Sequence, residues 1–228
     1  MSPHRKENPD QALRARRRAL LEAVLPQVPF DGWTQRALMA GAESAGMDKA
    51  EALNLFPGGP AEAIAFHSEE ADRRMLTGLA EMGLEDMKVR ERISAAVRLR
   101  LEQNAGEREA IRRALAFLAM PQNAGLATKL LYRTADAMWL AAGDRSTDYN
   151  FYTKRLLLSG VYSSTLLVWL DDQSEGNQKT WDFLERRIDE VLKIGGKLGK
   201  GMKQLLDLPD RLFEGGLRPG RRRLRPMR

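Results

Sequence analysis

The chain contains no cysteine and only two histidines in 228 residues. Without cysteine there are no disulfides and no thiolate metal sites. His4 lies in the terminal segment, and His67 stands by itself in a helical pattern, where a structural role is the ordinary reading. No His-Glu metal spacing, P-loop, nucleophile elbow or dinucleotide fingerprint occurs. Asp171 and Asp172 form an acidic pair without a basic or metal partner in sequence, and read as a loop that ends a helix. The expectation is a protein that is not an enzyme and holds neither metal nor cofactor. Long apolar runs are missing as well. The most apolar stretch, Leu156 to Leu170, includes Ser159, Gly160, Ser163, Ser164 and Thr165. It falls short of the roughly 20 residues of a membrane span and reads as a core helix. The first ten residues lack the apolar centre of a secretory signal, and a cytoplasmic location fits.

Charge is present but unevenly placed. Residues 197–228 carry ten basic and three acidic side chains, whereas residues 1–196 carry 27 and 28. The body is electrically balanced and the C-terminal segment is cationic. Leu198, Met202, Leu205, Leu206, Leu212 and Phe213 recur at helical spacing, with Lys197, Lys200, Lys203, Asp207, Asp210 and Arg211 on the other side. Gly195, Gly196, Gly199 and Gly201 loosen the start of this element, and Pro209 kinks it. An amphipathic cationic helix over 195–217, followed by a basic tail over 218–228 with Arg221, Arg222 and Arg223, suits an anionic membrane surface. Packing of the stripe on the body or on a second subunit is the alternative.

Helical periodicity dominates the rest, with neither strand alternation nor an internal repeat. Leu13, Leu20, Leu21, Val24, Leu25 and Val28 form one apolar face ended by Pro29. Further helices are expected from Thr34 to Ala45, Asp48 to Leu55, Ala61 to Met82, Asp86 to Gln103, Glu107 to Leu118, Asn123 to Ala142, Asp148 to Leu170 and Glu175 to Ile194. The spacing divides the chain into a terminal segment 1–12, a three-helix unit 13–58, a helical body 59–194, and the two C-terminal segments. Three short helices followed by long ones is the order of TetR-type regulators, whose first three helices hold a helix-turn-helix. The segment in the recognition-helix position, Met47 to Phe56, has two acids, one lysine and an apolar run. Base edges and phosphates call for a different set of side chains. Arg14, Arg16, Arg17 and Arg18 nevertheless leave phosphate contact open.

The densest information lies between Met138 and Arg155, M-W-L-A-A-G-D-R-S-T-D-Y-N-F-Y-T-K-R. Gly143 can end one helix, and Ser146 or Thr147 can cap the next, with Asp148 in its first turn. Trp139, Tyr149, Phe151 and Tyr152 flank this turn in a chain with only 7% aromatic residues. They point in several directions on a helix, so they either plug the end of a helical core or mark a partner surface. The segment resembles the ninth Coq protein family, accessory factors of ubiquinone biosynthesis. The resemblance extends through Met120-Pro121-Gln122-Asn123, Thr180-Trp181-Asp182-Phe183-Leu184-Glu185-Arg186-Arg187 and, more weakly, Gly32-Trp33-Thr34. It spans roughly residues 14 to 192. Phe151 stands where some members have tryptophan.

The resemblance implies an all-α, TetR-regulator-like bundle that dimerises through its last two body helices. It implies a protein that binds an isoprenoid lipid or quinone intermediate at the cytoplasmic face of the inner membrane and presents it to a ubiquinone-pathway hydroxylase. Leu130, Leu131, Met138, Leu157, Val161 and Leu166 are expected to line the lipid site. Met138, Trp139, Asp144, Asp148, Tyr149, Phe151, Tyr152 and Arg155 are expected to dock the hydroxylase. A solid core in place of a pocket is the reading that composition alone favours. The competing function is a TetR-type regulator that binds DNA and a hydrophobic effector; specific nucleic-acid binding is not expected.

Overall fold

The computed structural model describes residues 8–144 and 149–206; the side chains of Tyr149, Asn150, Leu192 and residues 194–206 lie outside the description. Among the described residues every regular element is helical. The helices are α1 (Pro9–Val24), α2 (Val28–Asp31), α3 (Gln35–Ser44), α4 (Lys49–Leu55), α5 (Gly59–Met82), α6 (Val89–Glu102), α7 (Arg108–Leu118), α8 (Ala124–Ala141), α9 (Tyr149–Asp171) and α10 (Gln178–Leu206). Single 3-10 turns at 105–107, 121–123 and 175–177 lead into α7, α8 and α10. The chain divides into two units, 1–188 and 189–228. The described part of the second unit is helix up to Leu206.

Two element boundaries depart from the sequence expectation. The first helix starts at Pro9, inside the segment read as terminal, because Asn8 caps it by accepting the Asp10 amide at 3.1 Å. It also stops at Val24 rather than Val28. Pro26 cannot donate to the ladder, and the chain restarts as α2 with Pro29 near its N-terminus, where the missing N–H costs nothing. In the second unit, the glycines between 195 and 201 do not interrupt α10, so the expected loose hinge is not there. Leu198, Met202, Leu205 and Leu206 fall on this helix; Pro209, Leu212, Phe213, Arg221, Arg222 and Arg223 fall outside the described residues.

The N-terminal unit closes around Leu20, Val24, Ala37, Leu38, Leu55 and Phe56. Thr34 caps α3 through the Ala37 amide, and Trp33 donates its indole N–H to the Ala110 carbonyl at 2.9 Å, which ties this unit to α7. α3 meets α1 at Gly41, whose missing Cβ would lie 2.4 Å from Val24 Cγ2 and 2.8 Å from its Cα. In the body, α5 packs on α6 and α8, and α8 packs on α9. The α9–α10 connection is pinned by Asp172. Its two oxygens accept the amides and hydroxyls of Ser174 and Thr180 at 2.6–2.9 Å. Burial works against the charge, but these four hydrogen bonds outweigh it and hold the carboxyl well below the usual carboxylate range.

Two outcomes follow for stability. Gly41→Ala gains about 1 kcal/mol of helix propensity but forces backbone apart, which typically costs about 1–3 kcal/mol. The variant should unfold at lower urea than the parent; a rise in midpoint would show that the α1–α3 crossing has slack. Asp172 titrates in the folded chain below its unfolded value of about 4, so its contribution is present above that pH and is lost as the pH falls toward the folded value. Asp172→Asn should lower the thermal midpoint at neutral pH and flatten its acid dependence. An unchanged acid limb would locate the acid sensitivity elsewhere.

Candidate functional site

The α8–α9 hairpin explains most of the Met138–Arg155 segment by its own internal needs. Gly143 takes φ +88° where α8 ends. Trp139 donates its indole N–H to the Lys154 carbonyl at 2.9 Å, across the hairpin. Arg155 is 1% exposed. Its Nε reaches Asp136 at 2.5 Å, one terminal nitrogen reaches Asp144 at 3.1 Å, and its guanidinium lies 3.3 Å from the centroid of the Phe151 ring. Lys154 takes the other oxygen of Asp144 at 2.7 Å. A guanidinium that far from water needs this enclosure, because an unanswered buried charge costs several kcal/mol.

These roles sort the residues expected to dock a partner. Met138 is fully buried, and Arg155 and the Asp144 carboxylate are held in the interior, so these three do not form a surface. Trp139 and Phe151 are half-buried. Tyr152 is 65% exposed and stacks edge-on against Phe151, with centroids 5.1 Å apart. Asp148 and the Tyr149 side chain lie outside the description. One turn on, Leu156 is 72% exposed, and Leu140 and Leu167 are exposed as well. The sequence reading passed over Leu156, although its spacing of four from Tyr152 puts both on one face.

The second feature is a cavity of about 190 Å³ between α5, α6, α7, α8 and α9. Leu130, Leu131 and Leu166 line it as expected from the sequence. Met138, Leu157 and Val161 do not: Met138 and Val161 are buried elsewhere in the packing, and Leu157 is half-buried away from the cavity. The face of α9 that meets the cavity carries Tyr162, Ser163 and Leu166. A step of one residue turns a helical side chain by about 100°, which is why Val161 misses it. Ile64, His67 and Ser68 of α5, Arg100 of α6, and Ile111, Ala114, Leu115 and Leu118 of α7 complete the wall with Ala127 and Thr134.

Arg100 is the one Lys, Arg, Asp or Glu side chain among the residues lining that wall. Asp72 accepts Arg100 Nε at 3.0 Å, Thr134 Oγ1 at 2.9 Å and Arg133 Nε at 3.3 Å, so one carboxylate joins α5, α6 and α8. His67 is not isolated: it shares a 2.6 Å hydrogen bond with Glu107, which Arg74 also approaches at 3.3 Å. Burial raises the Glu107 carboxyl, but the partners His67 and Arg74 prevail and lower it. Among the described residues no group of acids and histidines could hold a metal ion. No helix among them is long and apolar enough to cross a membrane.

The arginines of α1 are engaged within the chain. Arg14 pairs with Glu69 and Glu70 at 2.5 and 2.6 Å, Arg16 with Glu51, Arg17 with Glu62 at 2.7 Å, and Arg18 with Glu70 at 2.8 Å. Arg17 also stacks over Phe56 and Phe66. The exposed side chains of α4 are Lys49, Ala50, Leu53 and Asn54.

Comparison with known proteins gives a consistent answer. A crystal structure of a TetR transcriptional regulator from Nitrosomonas europaea superposes with a TM-score of 0.65 at 23% identity, covering 78% of this chain and 98% of that one. The likeness is one of fold: the body is a TetR-like bundle. The mitochondrial ubiquinone biosynthesis protein COQ9 of Rattus norvegicus is 36% identical over 183 residues, which is 77% of this chain and 58% of the rat protein. Its human counterpart is 35% identical over 77% of this chain and 57% of its own length. The chain thus spans less than three-fifths of these two relatives. The mitochondrial COQ9-B protein of Xenopus laevis is 34% identical over 203 residues, covering 86% of this chain and 68% of that protein. The COQ9 family model matches residues 124–195, from the start of α8 into α10. The chain belongs to the COQ9 family.

Proposed function

We propose that this protein is a non-enzymatic accessory factor of ubiquinone biosynthesis that binds an isoprenoid quinone intermediate and hands it to a ring-modifying hydroxylase. The observation that carries this reading is the largely apolar cavity beneath the α8–α9 hairpin, in a chain whose relatives are named for ubiquinone biosynthesis. A polyprenyl tail resists transfer through water by roughly 0.8 kcal/mol per methylene. A protein that covers part of the tail and sits at the membrane lowers that barrier. The C-terminal segment supplies the membrane contact: its sequence alternates apolar and cationic positions and ends in Arg221, Arg222 and Arg223. The site of action is the cytoplasmic face of the inner membrane.

Tyr152 and Leu156 form the hydroxylase contact, with Phe151 and Trp139 as its half-buried border. Large exposed apolar and aromatic side chains of this kind are what interface centres use. Further along α9, Leu167 is exposed and Gly160 has open space above it. This part of α9, with α10, takes the second copy of a homodimer. The pairing of the α1 arginines with Glu51, Glu62, Glu69 and Glu70, and the single cation exposed on α4, weigh against a DNA-binding regulator.

Mass spectrometry of organic extracts from the purified protein should detect an isoprenoid quinone or precursor, and a chain ending at Lys193 should carry less of it. Absence of lipid, together with failure to bind added quinone, would remove the carrier reading. Tyr152→Ala should leave stability within about 0.5 kcal/mol of the parent and abolish hydroxylase capture in a pull-down. Arg155→Met should act differently, costing about 1–3 kcal/mol by removing the charged hydrogen bonds to Asp136 and Asp144. Undiminished capture by Tyr152→Ala would disprove the docking assignment.

A further inference from the structure

Trp139, Asp144, Lys154 and Arg155 shape the α8–α9 hairpin from within. Arg92 of α6 reaches it from outside. Its guanidinium donates to three carbonyls: Met87 at 2.9 Å through Nε, Ala142 at 3.1 Å through Nη1 and Glu85 at 3.0 Å through Nη2. All three acceptors are backbone oxygens. Glu85 and Met87 belong to the connection between α5 and α6, and Ala142 closes α8. One side chain therefore fastens the end of α8 to the turn between two other helices. A lysine could not do the same, because its ammonium is a compact point charge and does not span oxygens set around a planar fork.

The fastened point is where α8 gives way to α9. The Gly143 amide donates to Leu140 and the Asp144 amide to Trp139, both at 3.0 Å, the pair of bonds that ends a helix at a left-handed glycine. That closure uses the carbonyls of Trp139 and Leu140, and the Ala142 carbonyl goes to Arg92. A cation also suits this negative end of the helix dipole. The fit is close: a Cβ on Gly143 would lie 3.1 Å from Arg92 Nη1. Asp144 follows directly, and its carboxylate takes Lys154 and Arg155 of α9. The Arg155 guanidinium lies on the Phe151 ring, and Phe151 meets Tyr152 edge-on. A chain of contacts thus runs from the α5–α6 connection through Arg92, Ala142, Asp144, Arg155 and Phe151 to Tyr152. At 65% and 72% exposure, Tyr152 and Leu156 take their direction from the helix that carries them rather than from packing around them.

We propose, on the reading that Tyr152 and Leu156 dock the hydroxylase, that Arg92 is a positioning residue for that surface. It holds the end of α8 against the α5–α6 connection, and so sets the angle at which the first turns of α9 present Tyr152 and Leu156. Binding of the chain and its variants to immobilised hydroxylase gives the affinity, and far-ultraviolet circular dichroism reports whether each variant is folded at the assay temperature. Arg92→Lys keeps a cation at the end of α8 but loses the span. It should stay folded and bind roughly three- to thirtyfold more weakly. Arg92→Ala should bind weakly too, and millimolar guanidinium should restore its binding, since the free cation carries the same planar set of donors. Arg98→Gln, which breaks the pair with Glu102 farther along the same helix, should leave binding unchanged. Parental binding by a folded Arg92→Lys would overturn the positioning role. So would weakening by Arg98→Gln to the same degree, because any loosening of α6 would then suffice. Failure of guanidinium to restore a folded Arg92→Ala would overturn it as well, and loss of the fold in both Arg92 variants would make Arg92 a residue of the fold alone. Undiminished binding by Tyr152→Ala would remove the docking reading and the positioning role together. Lost binding by Tyr152→Ala beside parental binding by Arg92→Lys would remove the positioning role only.

Discussion

Arg155 brings a full positive charge into the protein at 1% exposure, and the α8–α9 hairpin is arranged to make that tolerable. Asp136 and Asp144 approach it from the α8 side, the Phe151 ring covers its face, and the Phe151 carbonyl takes a further N–H at 3.1 Å. Asp144 must therefore stand just beyond the end of α8, which requires Gly143 at positive φ. Trp139 then closes the hairpin through Lys154. The segment that identifies the family is in large part a solution to one electrostatic problem. The residues left over from that solution, Tyr152 and Leu156, are the ones free to serve another molecule.

The same economy organises the cavity. Asp72 is buried among Arg100, Arg133 and Thr134, and its two oxygens hold α5, α6 and α8 at fixed separations. A network of this kind is rigid because each member satisfies another, and removing one leaves a stranded charge. An apolar hole bounded by such a network cannot simply collapse. The wall beside Arg100 and Thr134 keeps its shape, whereas a hole bounded only by leucine and alanine would be closed by small shifts of flexible side chains.

Much of the fold was legible because amphipathic helices announce themselves. Each expected body helix has its counterpart, and the turn at Gly32-Trp33-Thr34 has the capping role its residues advertise. Boundaries failed where proline acted in a way that the apolar period hides: Leu25 and Val28 continue the face of α1, yet Pro26 ends the ladder. The site was legible by half. Leu130, Leu131 and Leu166 line the cavity, but the choice between Val161 and Tyr162 depends on the rotation of α9, which hydrophobicity alone does not fix for a helix apolar on most sides. Arg155 was misplaced for a deeper reason. An arginine in sequence reads as surface, and its burial depends on two acids, 11 and 19 positions away, that only the hairpin brings together. His67 and Asp172 were undervalued in the same way, since their partners Glu107 and Thr180 come from other turns of the chain.

The N-terminal unit keeps the fold of a TetR-type regulator and pairs the arginines of its first helix within the chain. In a DNA-binding protein, cations on the first helices face outward to release counterions from phosphates. Here Arg14 and Arg18 turn toward Glu70, Arg17 lies on Phe56 and Phe66 beside Glu62, and Arg16 meets Glu51 of α4 itself. Each exposed pair adds little to stability. Together they bear on the proposed reading without DNA: phosphates approaching α1 would have to displace carboxylates already in place, and Glu51 would repel them from the neighbouring helix. The unit keeps the packing of Val24 against Gly41 that a helix-turn-helix needs. It directs its charge inward, toward α5, and so serves as a base for the helix that supplies Ile64, His67 and Ser68 to the cavity.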